Sequence, residues 1–130
     1  MKEIIHQHII IKAYVTNPPM SEKSLEDWFY ELVSEIKMKV CIPPRARYVN
    51  TVGNRRVTGI CGIETSHVAL HCWDELTPAM IQMDVYSCAP FHKNQILKQL
   101  EKFGLVKYEL MEIDRNKSFI VTNHEISNIT

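Results

Sequence analysis

The sequence predicts a two-layer α/β (α+β) sandwich, a mainly antiparallel sheet with two helices on one face. Two stretches place apolar residues at helical spacing, and the branched and aromatic runs between them have strand length. Strands and helices also lack the regular alternation that a parallel sheet with crossover helices would require. The 130 residues, 45% of them apolar, suffice for one compact core, so one domain over residues 1–130 is expected.

Composition excludes several function classes. Lys plus Arg and Asp plus Glu stand at 15 each, a formal charge of zero, which argues against a nucleic-acid binder needing a basic surface. No apolar run approaches ~20 residues, and the polar start with His6-Gln7-His8 reads neither as a secretory signal nor as a membrane span. Cys41, Cys61, Cys72 and Cys88 form no C-x-x-C pair, which fits a reduced, cytoplasmic protein.

Residues 4–15 are rich in branched side chains and read as a first strand, ended by Asn17-Pro18-Pro19. His6 and His8 share one strand face, and their expected role is structural, because no acidic or thiol pair of metal-ligand spacing accompanies them. Leu25, Trp28, Phe29, Leu32, Val33 and Ile36 follow the i, i+3, i+4, i+7 pattern of a one-sided helix, with Ser24 as the expected N-cap. Residues 38–42 are a short strand candidate closed by Pro43-Pro44. Arg45, Arg47, Arg55 and Arg56 then mark a basic loop, either a solvated hairpin or a guard for an anionic substrate group. After the central stretch, residues 90–103 form a second amphipathic helix stopped by Gly104. Residues 105–113 are a closing strand, residues 119–121 a further edge, and residues 122–130 a polar, frayed end.

The central stretch, residues 57–88, carries the chemistry. Two strand-like runs, residues 59–63 and 68–73, are separated by Glu64-Thr65-Ser66-His67, room only for a tight reversal, bulge or sharp bend. Ser66 therefore sits where backbone strain is stored. It lacks the glycine-flanked elbow of hydrolases, which disfavours attack on an outside acyl group and leaves attack on the carbonyl of Thr65. Ser66 and His71 are an odd number of residues apart, so a regular strand would point them to opposite faces, and a bulge or bend is expected to bring them together. Asp84 shares a face with Gln82, Tyr86 and Cys88 and reads as a hydrogen-bonded structural carboxylate.

In order, Val57-Thr58-Gly59, Ser66-His67, His71, Trp73-Asp74-Glu75 and Asp84-Val85-Tyr86-Ser87-Cys88 resemble the small prokaryotic form of the S-adenosylmethionine decarboxylase proenzyme family, which is pyruvoyl-dependent. An early His8, a first helix and a second helix after Cys88 extend the resemblance to the ends. It implies self-cleavage between Thr65 and Ser66, with a pyruvoyl group made from Ser66 as the cofactor and no metal. It further implies that Thr58 and His71 assist the cleavage, that Cys88 reprotonates the substrate carbon, and that Glu75 holds a ribose hydroxyl. The implied substrate is S-adenosylmethionine, decarboxylated for spermidine biosynthesis. The implied assembly is an αββα homodimer, sheet on sheet, with active sites involving both chains.

The chain departs from the family pattern at three places. Thr65 precedes the serine where the family has Glu, Val52 stands where the family commonly has an aromatic residue for adenine, and Gly53-Asn54-Arg55-Arg56 replaces a Pro/Gly-type turn. These departures keep two alternatives open: a pyruvoyl-dependent decarboxylase of ornithine or arginine, and an unprocessed relative that binds without catalysis.

Overall fold

The computed structural model describes residues 4–129. The chain runs β1 (Gln7–Val15), α1 (Glu22–Glu35), β2 (Val40–Val49), β3 (Arg56–Ile63), β4 (Ser66–Trp73), β5 (Ala79–Ser87), α2 (Lys93–Leu100), β6 (Leu105–Asp114) and β7 (Ile120–Asn128). The strands form one sheet in the order β2-β3-β4-β5-β1-β6-β7, every neighbouring pair antiparallel. Both helices lie on one face of the sheet, as the sequence predicts.

Alternation along each strand sorts the two faces. Ile9, Ile11, Ala13 and Val15 of β1 point to the helices with Val68, Leu70 and Cys72 of β4 and Ile81, Met83 and Val85 of β5, and all are buried. Onto this layer α1 lays Leu25, Trp28, Phe29, Leu32 and Val33. Phe29 is fully buried, which contributes about 1.5–3 kcal/mol relative to an exposed ring. Gly59 explains one motif position by packing: a Cβ there would lie 2.6 Å from Phe29 Cε2 and 2.7 Å from Leu25 Cδ2. Trp28 ties the two helices together, its indole N–H donating to the Gln99 carbonyl at 2.9 Å.

Several boundaries differ from the sequence reading. The N-cap of α1 is Ser21, whose hydroxyl accepts from the Ser24 amide at 3.0 Å, so Ser24 lies inside the first turn. Strand β2 does not stop at Pro43-Pro44 but runs through them to Val49. It is an edge strand whose register shifts at the prolines, and an edge strand tolerates a missing N–H on its free side. The second helix is shorter, beginning at Lys93 with a capping box between His92 and Gln95, and a 3₁₀ turn (Glu101–Phe103) leads to Gly104 at φ +70°. The polar end is not frayed: β7 is a full strand. Glu125 anchors it, accepting from the Lys93 ammonium and from the Tyr108 hydroxyl at 2.8 Å.

Candidate active site

The face turned away from the helices carries the chemistry-bearing residues of the central stretch. Thr58 of β3, His67, Ala69, His71 and Trp73 of β4, and Met80, Gln82, Asp84 and Tyr86 of β5 alternate onto it, none of them fully buried. They share it with exposed Ile10, Ile42, Ile60 and Ile126, so the face is half apolar.

At one end, the pairing of β4 with β5 brings the Thr65–Ser66 bond beside Cys88. β3 and β4 join through a two-residue turn, Glu64 and Thr65, because Ile63 pairs with Ser66. Ser66 has φ +153°, a region that costs a residue with a side chain about 1–3 kcal/mol. The carbonyl oxygen of Thr65 accepts from the Cys88 amide at 2.9 Å, and the Glu64 amide donates to the Lys39 carbonyl at 2.9 Å. The Thr65 hydroxyl donates to Met38 Sδ at 2.9 Å. Ser66 borders a groove of about 420 Å³ lined by Ile42, Pro43, Arg45, Ile60, Gly62, His67 and Ala69. Of the four arginines singled out in the sequence, Arg45 is the one lining this groove. Arg47 and Arg56 donate to backbone carbonyls and Arg55 to the Asn50 side chain.

At the other end, β3 pairs with β4 so that Thr58 Oγ1 meets His71 Nδ1 at 3.0 Å. Burial lowers the His71 pKa below its ordinary value, and the nearby Arg56 charge adds to this, so the ring is neutral at pH 7. Glu75, just past β4, accepts from the Gly53 amide at 3.0 Å and the Arg55 amide at 2.8 Å. These bonds hold its carboxyl below the usual range and leave acceptor sites for a diol. Val52 is exposed on the loop that Glu75 clasps.

One expectation is not met within the chain. Strand β4 runs from Ser66 to Trp73 in unbroken register with both neighbours. The five-residue step therefore separates Ser66 from His71 by about 16 Å, at ~3.3 Å per residue. No bulge brings them together; Ser66 and Cys88 form one group, Thr58 and His71 another.

Between these groups lies a cluster that sequence reasoning found only in part. Asp84 Oδ1 lies 3.4 Å from His8 Nε2 and 3.3 Å from His67 Nε2, and His8 is the chief cause holding its pKa below the ordinary value. Tyr86 joins His6 through a 2.6 Å hydrogen bond, and Arg115 stacks over its ring at 4.3 Å. Asp84 thus sits between two imidazoles on the open face. The sequence places Tyr86 on this face but gives no sign of Arg115, because only the fold brings the two together. Among the described residues no group of three potential ligands could hold a metal, and no helix is long and apolar enough to cross a membrane. Burial pushes the Cys72 thiol up to about 12, which leaves it protonated and inert.

Fold and site together define a small α+β sandwich with a strained serine hairpin at one end of an open sheet face. The family model for S-adenosylmethionine decarboxylase matches residues 7–116. The chain is 27% identical over 114 residues to an S-adenosylmethionine decarboxylase proenzyme of Archaeoglobus fulgidus, covering 86% of this chain and 98% of that protein. Its fold is similar to the crystal structure of the adenosylmethionine decarboxylase from Aquifex aeolicus VF5, with a TM-score of 0.71 at 13% identity, covering 95% of this chain and 99% of that one. The chain belongs to the S-adenosylmethionine decarboxylase family.

Proposed function

We propose that the chain is a self-processing decarboxylase of S-adenosylmethionine that cuts itself between Thr65 and Ser66 and works as a homodimer, supplying aminopropyl groups for spermidine. The observation that carries this reading is Ser66 at φ +153° next to a Thr65 carbonyl polarised by the Cys88 amide at 2.9 Å. Strain in the peptide and a donor on its oxygen are what attack by a neighbouring hydroxyl needs.

The chemistry needs only the chain and one water, and releases ammonia. Ser66 Oγ attacks the Thr65 carbonyl carbon, the C–N bond breaks, and the nitrogen takes the hydroxyl proton, leaving an ester. Loss of the Ser66 α-proton expels the Thr65 carboxylate and leaves dehydroalanine, which takes up water and sheds ammonia to become a pyruvoyl group at residue 66. That group supplies an electron sink for decarboxylation, the task a pyridoxal ring performs elsewhere. Residues 66 and 88 fit it, with the groove beside Ser66 as space for an amino-acid substrate. The Cys88 thiol returns a proton to the substrate carbon, and Glu75, kept charged by two amides, accepts from the ribose.

The separation along β4 gives the homodimer its purpose. Stacking two open faces about a two-fold axis carries Thr58 and His71 of one protomer toward Ser66 and Cys88 of its partner, and buries exposed Ile10 and Ile60. In that arrangement the neutral His71 imidazole takes the Ser66 hydroxyl proton and passes it to the departing nitrogen.

Intact-mass measurement tests the reading. Fragments 1–65 and 66–130, carbon dioxide release from S-adenosylmethionine, and loss of both in Ser66→Ala are expected; a chain that stays whole overturns it. Ornithine and arginine assayed alongside decide the substrate.

A further inference from the structure

We infer that Met38 is a positioning residue for self-cleavage, its thioether holding the Thr65 hydroxyl so that the Thr65–Ser66 peptide stays in its strained orientation. This rests on the self-processing reading and adds to it a residue outside the family motif. Two-residue hairpin turns favour residues such as Asn-Gly, whose backbone twist matches the strands. Here the turn is Glu64-Thr65, and the unusual dihedral falls on the next residue, Ser66. Such a conformation persists only where its surroundings over-determine it.

The surroundings are tethers from the segment that follows α1. Lys37, at φ +60°, reverses the chain there. Its amide donates to the Ser34 carbonyl at 3.0 Å and that of Met38 to the Val33 carbonyl at 3.0 Å, fixing Met38 to the helix end. From this base Met38 Sδ accepts from the Thr65 hydroxyl at 2.9 Å and from the Ser87 hydroxyl at 3.4 Å. Ser87 is fully buried and pairs with Ser66 across the ladder, and its hydroxyl accepts from the Ala89 amide at 3.0 Å. One sulfur therefore gathers the residue before the cleaved bond and the residue beside it. With the side chain of Thr65 held on the helix side and its carbonyl held by Cys88, the peptide plane cannot turn to relieve Ser66.

The test follows the appearance of fragment 66–130 in freshly refolded proenzyme at one fixed concentration, with hydroxylamine added in parallel to trap the ester. Met38→Leu keeps the volume and loses the acceptor; Thr65→Val keeps the shape and loses the donor. Each is expected to slow cleavage and ester trapping about tenfold, the worth of one positioned hydrogen bond. The double variant is no slower than either single one, because both remove the same contact. Thr65→Ser keeps the donor and recovers speed relative to Thr65→Val, a dependence on the hydroxyl that mere packing would not give. Wild-type rates in both Met38→Leu and Thr65→Val, or strictly additive slowing in the double variant, overturn the inference while leaving self-processing intact. A wild-type chain that never cleaves overturns both.

Discussion

The amide of Cys88 donates to the carbonyl oxygen of Thr65 at 2.9 Å, so one residue serves the predicted cleavage site through its backbone and keeps its thiol free for other work. The two contributions separate by substitution. Cys88→Ala retains the amide and should still cleave, while decarboxylation by the processed enzyme falls by about 10²-fold or more. Cys88→Pro removes the N–H and should slow cleavage by about 10²–10³-fold, the usual loss for one such donor. Fragment appearance on a denaturing gel and carbon dioxide release read the two effects independently.

Coexpression examines the composite site. Neither Ser66→Ala nor His71→Ala alone should process. Mixed dimers contain one site with both native residues, and in them only the His71→Ala chain should be cut. Mass spectrometry distinguishes the chains; no rescue in the mixture would mean that each chain serves itself.

Acid should loosen β7 first. The Lys93 ammonium, then Asn123 and Tyr108, hold the Glu125 carboxyl at about 2, below its unfolded value near 4.5. A depressed carboxylate stabilises the fold above the unfolded value and loses that contribution as pH falls toward the folded one. Amide protection in residues 120–128, taken relative to the intrinsic exchange rate at each pH, should therefore fall between about pH 4.5 and 2. Glu125→Gln should exchange rapidly at neutral pH as well.

Two core substitutions calibrate the packing. Trp28, nearly buried and hydrogen-bonded to Gln99, should cost about 3–5 kcal/mol when cut to Ala. Gly59→Ala would push a methyl into Phe29 and Leu25 and should cost about 1–3 kcal/mol. Urea titrations with unchanged m-values check both.

Periodicity made both helices and the central hairpin legible, because their buried stripes follow one rule along the chain. β7 was legible only at its start, residues 119–121: Thr122, Asn123, His124 and Glu125 carry no apolar alternation, and Glu125 is held on the helix side by an ion pair instead of by burial. β2 escaped for the opposite reason, its prolines acting as stops in sequence yet fitting a sheet edge. Strain at Ser66 was foreseeable from the shortness of the turn, whereas Met38 was not, since only the fold carries that sulfur to the hairpin. The expected meeting of Ser66 and His71 failed on distance, which parity alone does not measure.

The unbroken run of β4 from Ser66 to His71 also has a temporal side. If the groups needed for cutting reside on different molecules, a newly made polypeptide stays inert while dilute and matures only on encounter. Its activation then follows the square of its concentration, and the amount of protein a cell makes sets when the first active copy arises.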